Sequence, residues 1–238
     1  AVEIAILLHD IGHGPFSHAL EFTVVSGITH EELSLMLMEA LNREFSNRLD
    51  LAICIFKDEY PKKFLHQLVS SQLDMDRLDY LRRDSFYSGV VEGTIGSDRI
   101  IKMLNVVADQ LVIDKKGIYS IEQFLIARRM MYWQVYLHKT VLSAEFVLIN
   151  VLKRAKELVT NGVDVFGPPT LKWLLNHNFK QEDLKNADYK STLIENFIKL
   201  DDSDINSSIK AWCNHPDPVL SFLANSVTNR KLYKIKIS

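Results

Sequence analysis

An all-α fold is predicted by three observations on the sequence. Apolar residues recur near the helical period, as in Leu33, Met36, Leu37, Ala40 and Leu41, which share one face after His30. Glycine and proline number only 9 and 6 in 238 residues and gather at a few points, so they punctuate a helical chain. One strand-like interruption, residues 110–119, breaks the run of helices. With 47% hydrophobic and 24% charged residues, the chain has globular composition and material for one large core or two small ones.

The elements follow in order. The chain opens Ala1-Val2-Glu3-Ile4-Ala5-Ile6-Leu7-Leu8 inside a helical pattern, with no initiator Met, capping residue or basic leader, so the protein is expected to begin upstream. Gly12, Gly14 and Pro15 end this helix, and another begins near His30. Gly89, Gly93 and Gly96 close a helical segment that starts near Asp74. Residues 110–119 read as a hairpin, Leu-Val-Ile and Ile-Tyr flanking a turn at Asp114-Lys115-Lys116-Gly117. Residues 120–159 contain neither Gly nor Pro and suit one or two long helices. Pro168 and Pro169 mark the expected joint between a core at 1–166 and a helical extension at 167–238. The extension has helices around 171–176, 192–200 and 219–226, separated by polar linkers such as Asp201-Asp202-Ser203-Asp204. Residues 231–237 alternate basic and apolar side chains, a strand-like tail whose partner is expected in a further C-terminal piece.

Charge narrows the partners. Twenty-eight basic against 30 acidic residues give a formal charge of −2, so nucleic acid and anionic membranes are not expected to bind. The apolar run at residues 4–8 falls far short of the roughly 20 residues a bilayer requires. Cys54 and Cys213 lie in apolar helical segments and form no disulfide framework, which suits a reducing cytoplasmic location.

Histidine usage is the strongest anomaly. Four of the eight histidines, His9, His13, His18 and His30, fall in the first thirty residues. The string His9-Asp10-Ile11-Gly12-His13-Gly14-Pro15-Phe16-Ser17-His18 sets an imidazole beside a carboxylate where a helix loosens at glycine. Adjacent helical residues diverge by about 100°, so both can reach one metal only if it lies off the helix end. A single such pair is ordinarily a polar helix terminus; four histidines around two glycines reverse that preference. The second anomaly is the segment Leu73-Asp74-Met75-Asp76-Arg77-Leu78-Asp79-Tyr80-Leu81-Arg82-Arg83-Asp84, where Asp76, Tyr80 and Asp84 form one helical stripe. An EF-hand is rejected, because its sixth position counted from Asp74 is Asp79 and its twelfth is Ser85. A surface helix with ion pairs is the plain alternative for this segment. The third feature is a stripe of Arg128, Tyr132, Tyr136 and Lys139 with His138 beside it, which suits a phosphate-bearing aromatic ligand, although such stripes more often pack helices.

Together these blocks resemble the HD-domain metal-dependent phosphohydrolases, in the branch of deoxynucleoside triphosphate triphosphohydrolases. The stretch from His9 to His18 is specific to that branch. Thr29-His30-Glu31, the 74–84 segment, Tyr136-Leu137-His138-Lys139 and the tail from Asn229 to Lys234 follow in the family's order. The resemblance implies an HD-type helical bundle in which His9, Asp10 and Asp76 ligate one divalent metal, Mn, Fe, Mg, Co, Ni or Zn. The family's first ligand, a histidine on an earlier helix, is not in this sequence. His13, His18, Glu21 and His30 match the polar catalytic residues around the scissile phosphate. Asp74, Arg77, Tyr80, Asp84, Arg128, Tyr132, Tyr136, His138 and Lys139 match the substrate wall, although Arg77 and Tyr132 replace a lysine and a histidine of mammalian members. The implied reaction releases deoxynucleoside and intact triphosphate from a dNTP, the partners being a nucleotide substrate and further copies in a homo-oligomer. An HD-type nucleotide phosphatase or phosphodiesterase, and a non-catalytic nucleotide-sensing module, are the alternatives.

Overall fold

The computed structural model describes residues 1–21 and 23–236. Thirteen α-helices and one two-stranded sheet account for its regular structure among the described residues. In order they are α1 (Val2–Leu8), α2 (His18–Glu21), α3 (His30–Glu44), α4 (Asp50–Phe56), α5 (Lys63–Val69), α6 (Met75–Ser88) and α7 (Ser97–Met103). The hairpin strands β1 (Leu104–Val107) and β2 (Gln110–Ile113) come next. Then follow α8 (Ile118–Met131), a π-helical turn (Tyr132–Tyr136), α9 (Lys139–Thr160), α10 (Pro169–Asn176), α11 (Ala187–Phe197), α12 (Asp202–Trp212) and α13 (Pro218–Thr228). No single helix among the described residues is long and apolar enough to cross a membrane.

The chain divides into two compact units, Ala1–His9 with Met38–His138 and Asp10–Leu37 with Lys139–Ser238. In the first unit, α1, α4 and α5 meet around Ala5, Ala52, Ile55 and Val69. A second apolar cluster gathers Leu78 and Leu81 of α6 with Ile100, Phe124, Ala127 and Met131. Helix α6 is well delimited. Asp74 caps its start, accepting from the Arg77 N–H at 2.7 Å, and Gly89 ends it at φ 73°, a left-handed conformation that a side chain would strain. Because Leu78, Leu81 and Ser85 face inward, the stripe of Asp76, Tyr80 and Asp84 is left at the side of the helix.

A hairpin is present, but of its expected strands only Leu111-Val112-Ile113 is one: Ile118 and Tyr119 open α8, and the partner strand is Leu104–Val107. Leu104 pairs with Ile113 and Val107 with Gln110, so the turn is Ala108-Asp109, both in left-handed backbone at φ 49° and 62°. Two such residues match the right-handed strand twist, and Asp tolerates the conformation. Asp114-Lys115-Lys116-Gly117 instead leads into α8 through a single 3₁₀ turn.

In the second unit α9 is the central helix, burying Val147, Leu148, Val151, Leu152, Ala155 and Leu158 against α2, α10 and α13. Trp212 is fully enclosed and its indole N–H donates to the Phe166 carbonyl at 2.8 Å. Arg154 of α9 makes a two-pronged contact with Asp217 at 3.1 and 2.6 Å, which holds that carboxyl down at about 2. Pro168 and Pro169 fall inside this unit, where Pro169 is the first residue of α10, a position with no hydrogen bond to lose. The aspartate-rich stretch expected as a linker is a helix start: Asp201 and Asp204 form a reciprocal capping box on α12. The tail at 231–236 forms no strand, and the Tyr233 carbonyl accepts from Ser143 at 2.8 Å. Ile237 and Ser238, the end of the expected strand, lie outside the described residues.

Candidate active site

The first unit carries a metal-competent pair. His9 ends α1 with helical backbone, and its Nδ1 lies 2.6 Å from the Ile6 carbonyl. A carbonyl only accepts, so Nδ1 bears a proton and Nε2 is the nitrogen left to face other groups. That Nε2 lies 3.9 Å from Oδ1 of Asp76, in the first turn of α6. In the neutral ring this pair offers a cation one nitrogen and one carboxylate oxygen. The donor types, and the backbone carbonyl behind the imidazole, fit a divalent metal.

Arg77 and Asp74 stand beside this pair. Asp74 is buried, and its carboxylate accepts from the Ser71 and Arg77 N–H groups and pairs with the Arg77 guanidinium. Its oxygens are thus occupied in starting α6, so its geometry suits a positioning role for Arg77 better than the expected contact with substrate.

A wall of tyrosines follows along α6 and α8. The Tyr136 hydroxyl donates to Asp84 Oδ2 at 2.6 Å, and burial together with this carboxylate pushes the Tyr136 phenol well above its ordinary range. Burial also raises Tyr80, with Tyr132 adding to the effect and Arg128 and Arg77 opposing it. The Tyr136 ring is edge-on to Tyr80 at 6.1 Å and to Tyr132 at 5.2 Å. Arg128 lies 5.7 Å over Tyr132 and donates to Gln72 at 3.2 Å.

The expected continuous stripe from Arg128 to Lys139 stops at Tyr136. The Leu137 N–H reaches back five residues to the Tyr132 carbonyl at 2.7 Å, a π-type bond that widens the turn. Leu137 then leaves helical geometry, His138 sits at the break, and Lys139 opens α9 in the other unit. A cavity of about 620 Å³ in this unit is lined by Asp79, Arg82, Arg83 and Phe86, a different stripe of α6 from Asp76, Tyr80 and Asp84. Size alone therefore does not mark the chemistry.

The second unit gathers the remaining histidines. Asp10 follows His9 in sequence and opens this unit, its Oδ1 3.8 Å from His13 Nε2. His13 stacks on His30 at 4.1 Å, and His18 meets both edge-on at 5.3 and 5.5 Å. Ligand atoms of the three lie within 4.8 Å of one another. Phe16 and Ser17, at φ 56° and 46°, fold the chain back between His13 and His18. Glu21 clamps two of the rings, its Oε2 accepting from Nδ1 of His18 at 3.2 Å and of His30 at 3.0 Å. Burial acts to raise the Glu21 carboxyl, but the two imidazole hydrogen bonds outweigh it and hold the group below its ordinary value. Burial first, and then neighbouring His30, keep His13 below the usual histidine range.

Three supporting residues escaped the sequence reading. Ser34, fully buried, accepts the Gly12 N–H at 2.9 Å and fastens the histidine loop to α3. A Cβ on Gly12 would lie 2.2 Å from the His30 carbonyl, so only glycine permits this approach. The available signal was the spacing: Ser34 lies one turn after His30 on the same face. Gln72 and Ser71, which hold Arg128 and Arg77, carried no such signal.

The HD associated region family matches residues 95–164. The fold superposes with a TM-score of 0.92 on the crystal structure of a phosphohydrolase from Bacteroides thetaiotaomicron, at 61% identity over 99% of this chain and 58% of that one. The chain belongs to the HD-domain phosphohydrolase superfamily. It is 35% identical to the Bacillus subtilis protein YwfO over 97% of its own length and 52% of that protein's. It is also 30% identical to a deoxynucleoside triphosphate triphosphohydrolase homolog of Dictyostelium discoideum, over 66% of this chain and 34% of that protein. The chain therefore spans a little over half the length of the bacterial relatives it matches. The HD associated region match falls on α7 to α9, whereas His9, His13, His18 and His30 lie ahead of it.

Proposed function

We propose that this HD-domain protein hydrolyses deoxynucleoside triphosphates to deoxynucleoside and triphosphate. The observation that carries the reading is the first unit's combination on α6 of a metal-competent Asp76, facing His9, with Tyr80 and Asp84 on the same stripe. His9 and Asp76 would hold the metal, with Asp10, the next residue after His9, as a third ligand. A divalent metal there supplies a Lewis acid for a phosphoryl oxygen and lowers the pKa of bound water.

The protein's own residues do the rest. Arg77 and Arg128 bind phosphate oxygens through charge-assisted bonds. Tyr136, its hydroxyl tied to Asp84, presents a rigid ring edge to the sugar, which favours a deoxyribose over a bulkier, hydroxylated ribose. Lys139 and His138, carried over from the resemblance, add to the grip on the triphosphate. In the second unit, Glu21 keeps Nδ1 of His18 and His30 as the donor nitrogens, so Nε2 of either ring can carry the proton that the departing 5′-oxygen needs. The kinship with a triphosphohydrolase homolog supports the substrate class, and the phosphohydrolase from Bacteroides supports the reaction class.

Product analysis tests the reading. Each of the four dNTPs, singly and as mixtures, is incubated with the full-length protein and Mn²⁺ or Mg²⁺, and products are resolved by ion-exchange chromatography. Intact triphosphate with deoxynucleoside is expected. Orthophosphate or pyrophosphate as the sole inorganic product would move the protein to the phosphatase class, and binding without turnover would make it a sensing module.

A further inference from the structure

Away from its histidines, the second unit has a cavity of about 430 Å³ whose lining includes Lys153, Lys156, Ser26, Asn161 and Asn178. This volume lies in the range of about 300 to 1,000 Å³ typical of small-molecule sites. Lys153 and Lys156 are three residues apart on α9 and so share a face. Lys156 is held in place: its Nζ donates to the Val24 carbonyl at 2.7 Å and lies 5.6 Å from the centre of the Phe179 ring. Glu157, the one carboxylate in the lining, shares Arg154 with Asp217, and Lys153 and Lys156 together outweigh its charge. Ser26, Asn161 and Asn178 add a hydroxyl and two amides, groups that match hydroxyls better than apolar surface.

We propose that this cavity is a second ligand site, taking a small organic phosphate with its phosphate on Lys153 and Lys156 and its hydroxyl-bearing body along Ser26, Asn161 and Asn178. Burial pulls the Lys156 ammonium below its ordinary pKa, and an anion at its side offsets that cost. The site also touches the chain between two candidate catalytic residues, because Val24 lies between Glu21 and His30 in sequence. A phosphate that draws Lys156 away from the Val24 carbonyl releases one anchor of that segment. This consequence for turnover rests on the hydrolase reading above; the binding itself does not.

The test is lysine-resolved acetylation of the full-length protein with limiting reagent, read by mass spectrometry, with ribose 5-phosphate as probe. At ten times its Kd the probe is expected to slow labelling of Lys153 and Lys156 by about tenfold, leaving exposed Lys199 and Lys210 unchanged. Inorganic phosphate is expected to protect the same pair more weakly; equal protection would overturn the part given to Ser26, Asn161 and Asn178. Absence of protection, or equal protection by sodium chloride at matched ionic strength, would overturn the site. Lys153→Glu, at an exposed position, is expected to abolish protection of Lys156, and persistence of that protection would also overturn it. Since labelling needs no turnover, an inactive protein that shows the protection keeps the site and loses only the hydrolase reading.

Discussion

The tyrosine wall of the first unit and the histidine cluster of the second are held in opposite ways. Tyr80, Tyr132 and Tyr136 stand on α6 and on the helical run from α8 into the π turn, and a single hydrogen bond to Asp84 orients the last of them. Their separations are set by helix geometry, which suits recognition of a ligand of fixed shape. His13 and His18 stand instead on a loop and the start of a four-residue helix, where short turns replace a continuous helical ladder. Their order comes from side chains: Glu21 ties His18 to His30, and Ser34 ties Gly12 to α3. The proposed binding surface is thus helix-borne and the proposed proton-transfer residues are largely loop-borne, a division common where a scaffold positions reactive side chains.

Substitutions in the two regions should separate along the same line. The largest effect is expected for Asp76→Ala, which removes a proposed ligand: activity should fall by about a thousandfold or more with loss of bound metal, while the circular dichroism spectrum is retained. Full metal content in this variant, measured by mass spectrometry, would dissolve the His9–Asp76 assignment. Next comes Glu21→Gln, which removes the anion but keeps the shape. A fall in kcat of about a hundredfold is expected, with metal unchanged. Because the native Glu21 carboxyl titrates below its ordinary 4.5, its pairing with His18 and His30 is present above that value and lost as pH falls through the lowered one. The variant should therefore lose part of the wild-type acid-side decline in stability, and an unchanged decline would count against the clamp.

Tyr136→Phe sharpens the comparison from the other side. Without the bond to Asp84 the ring loses its anchor, so KM for a dNTP should rise by about tenfold with a smaller change in kcat. A kcat effect larger than the KM effect would give the wall a chemical role and erase the division. The smallest effect is expected for Ser34→Ala, which leaves the Gly12 N–H buried without its acceptor at a cost of about 1 to 3 kcal/mol. Thermal unfolding should fall by about 2 to 4 °C per kcal/mol, with a loss of kcat but no change in metal content. Unaltered stability would show that the histidine loop does not depend on this anchor.

Much of this was legible before any coordinates. The 3.6-residue periodicity and the sparse glycines set the helical class, because burial of one face is a local, additive signal. The string from His9 to His18, with the 74–84 segment, carried the resemblance to the HD-domain phosphohydrolases, the superfamily in which the chain falls. Tertiary structure alone decided the rest. The hairpin turned at Ala108-Asp109 instead of at a glycine, because strand pairing sets the turn and two non-glycine residues accept left-handed backbone there. Asp201 and Asp204 became a helix start, because a capping box and a polar linker have the same composition. Asp74 became a buried cap on α6, and the stripe toward Lys139 broke at a π turn that no glycine or proline foretold. Ser34 came to hold the Gly12 backbone across twenty-two residues of sequence; its spacing from His30 set its face, but only the folded chain supplied its partner.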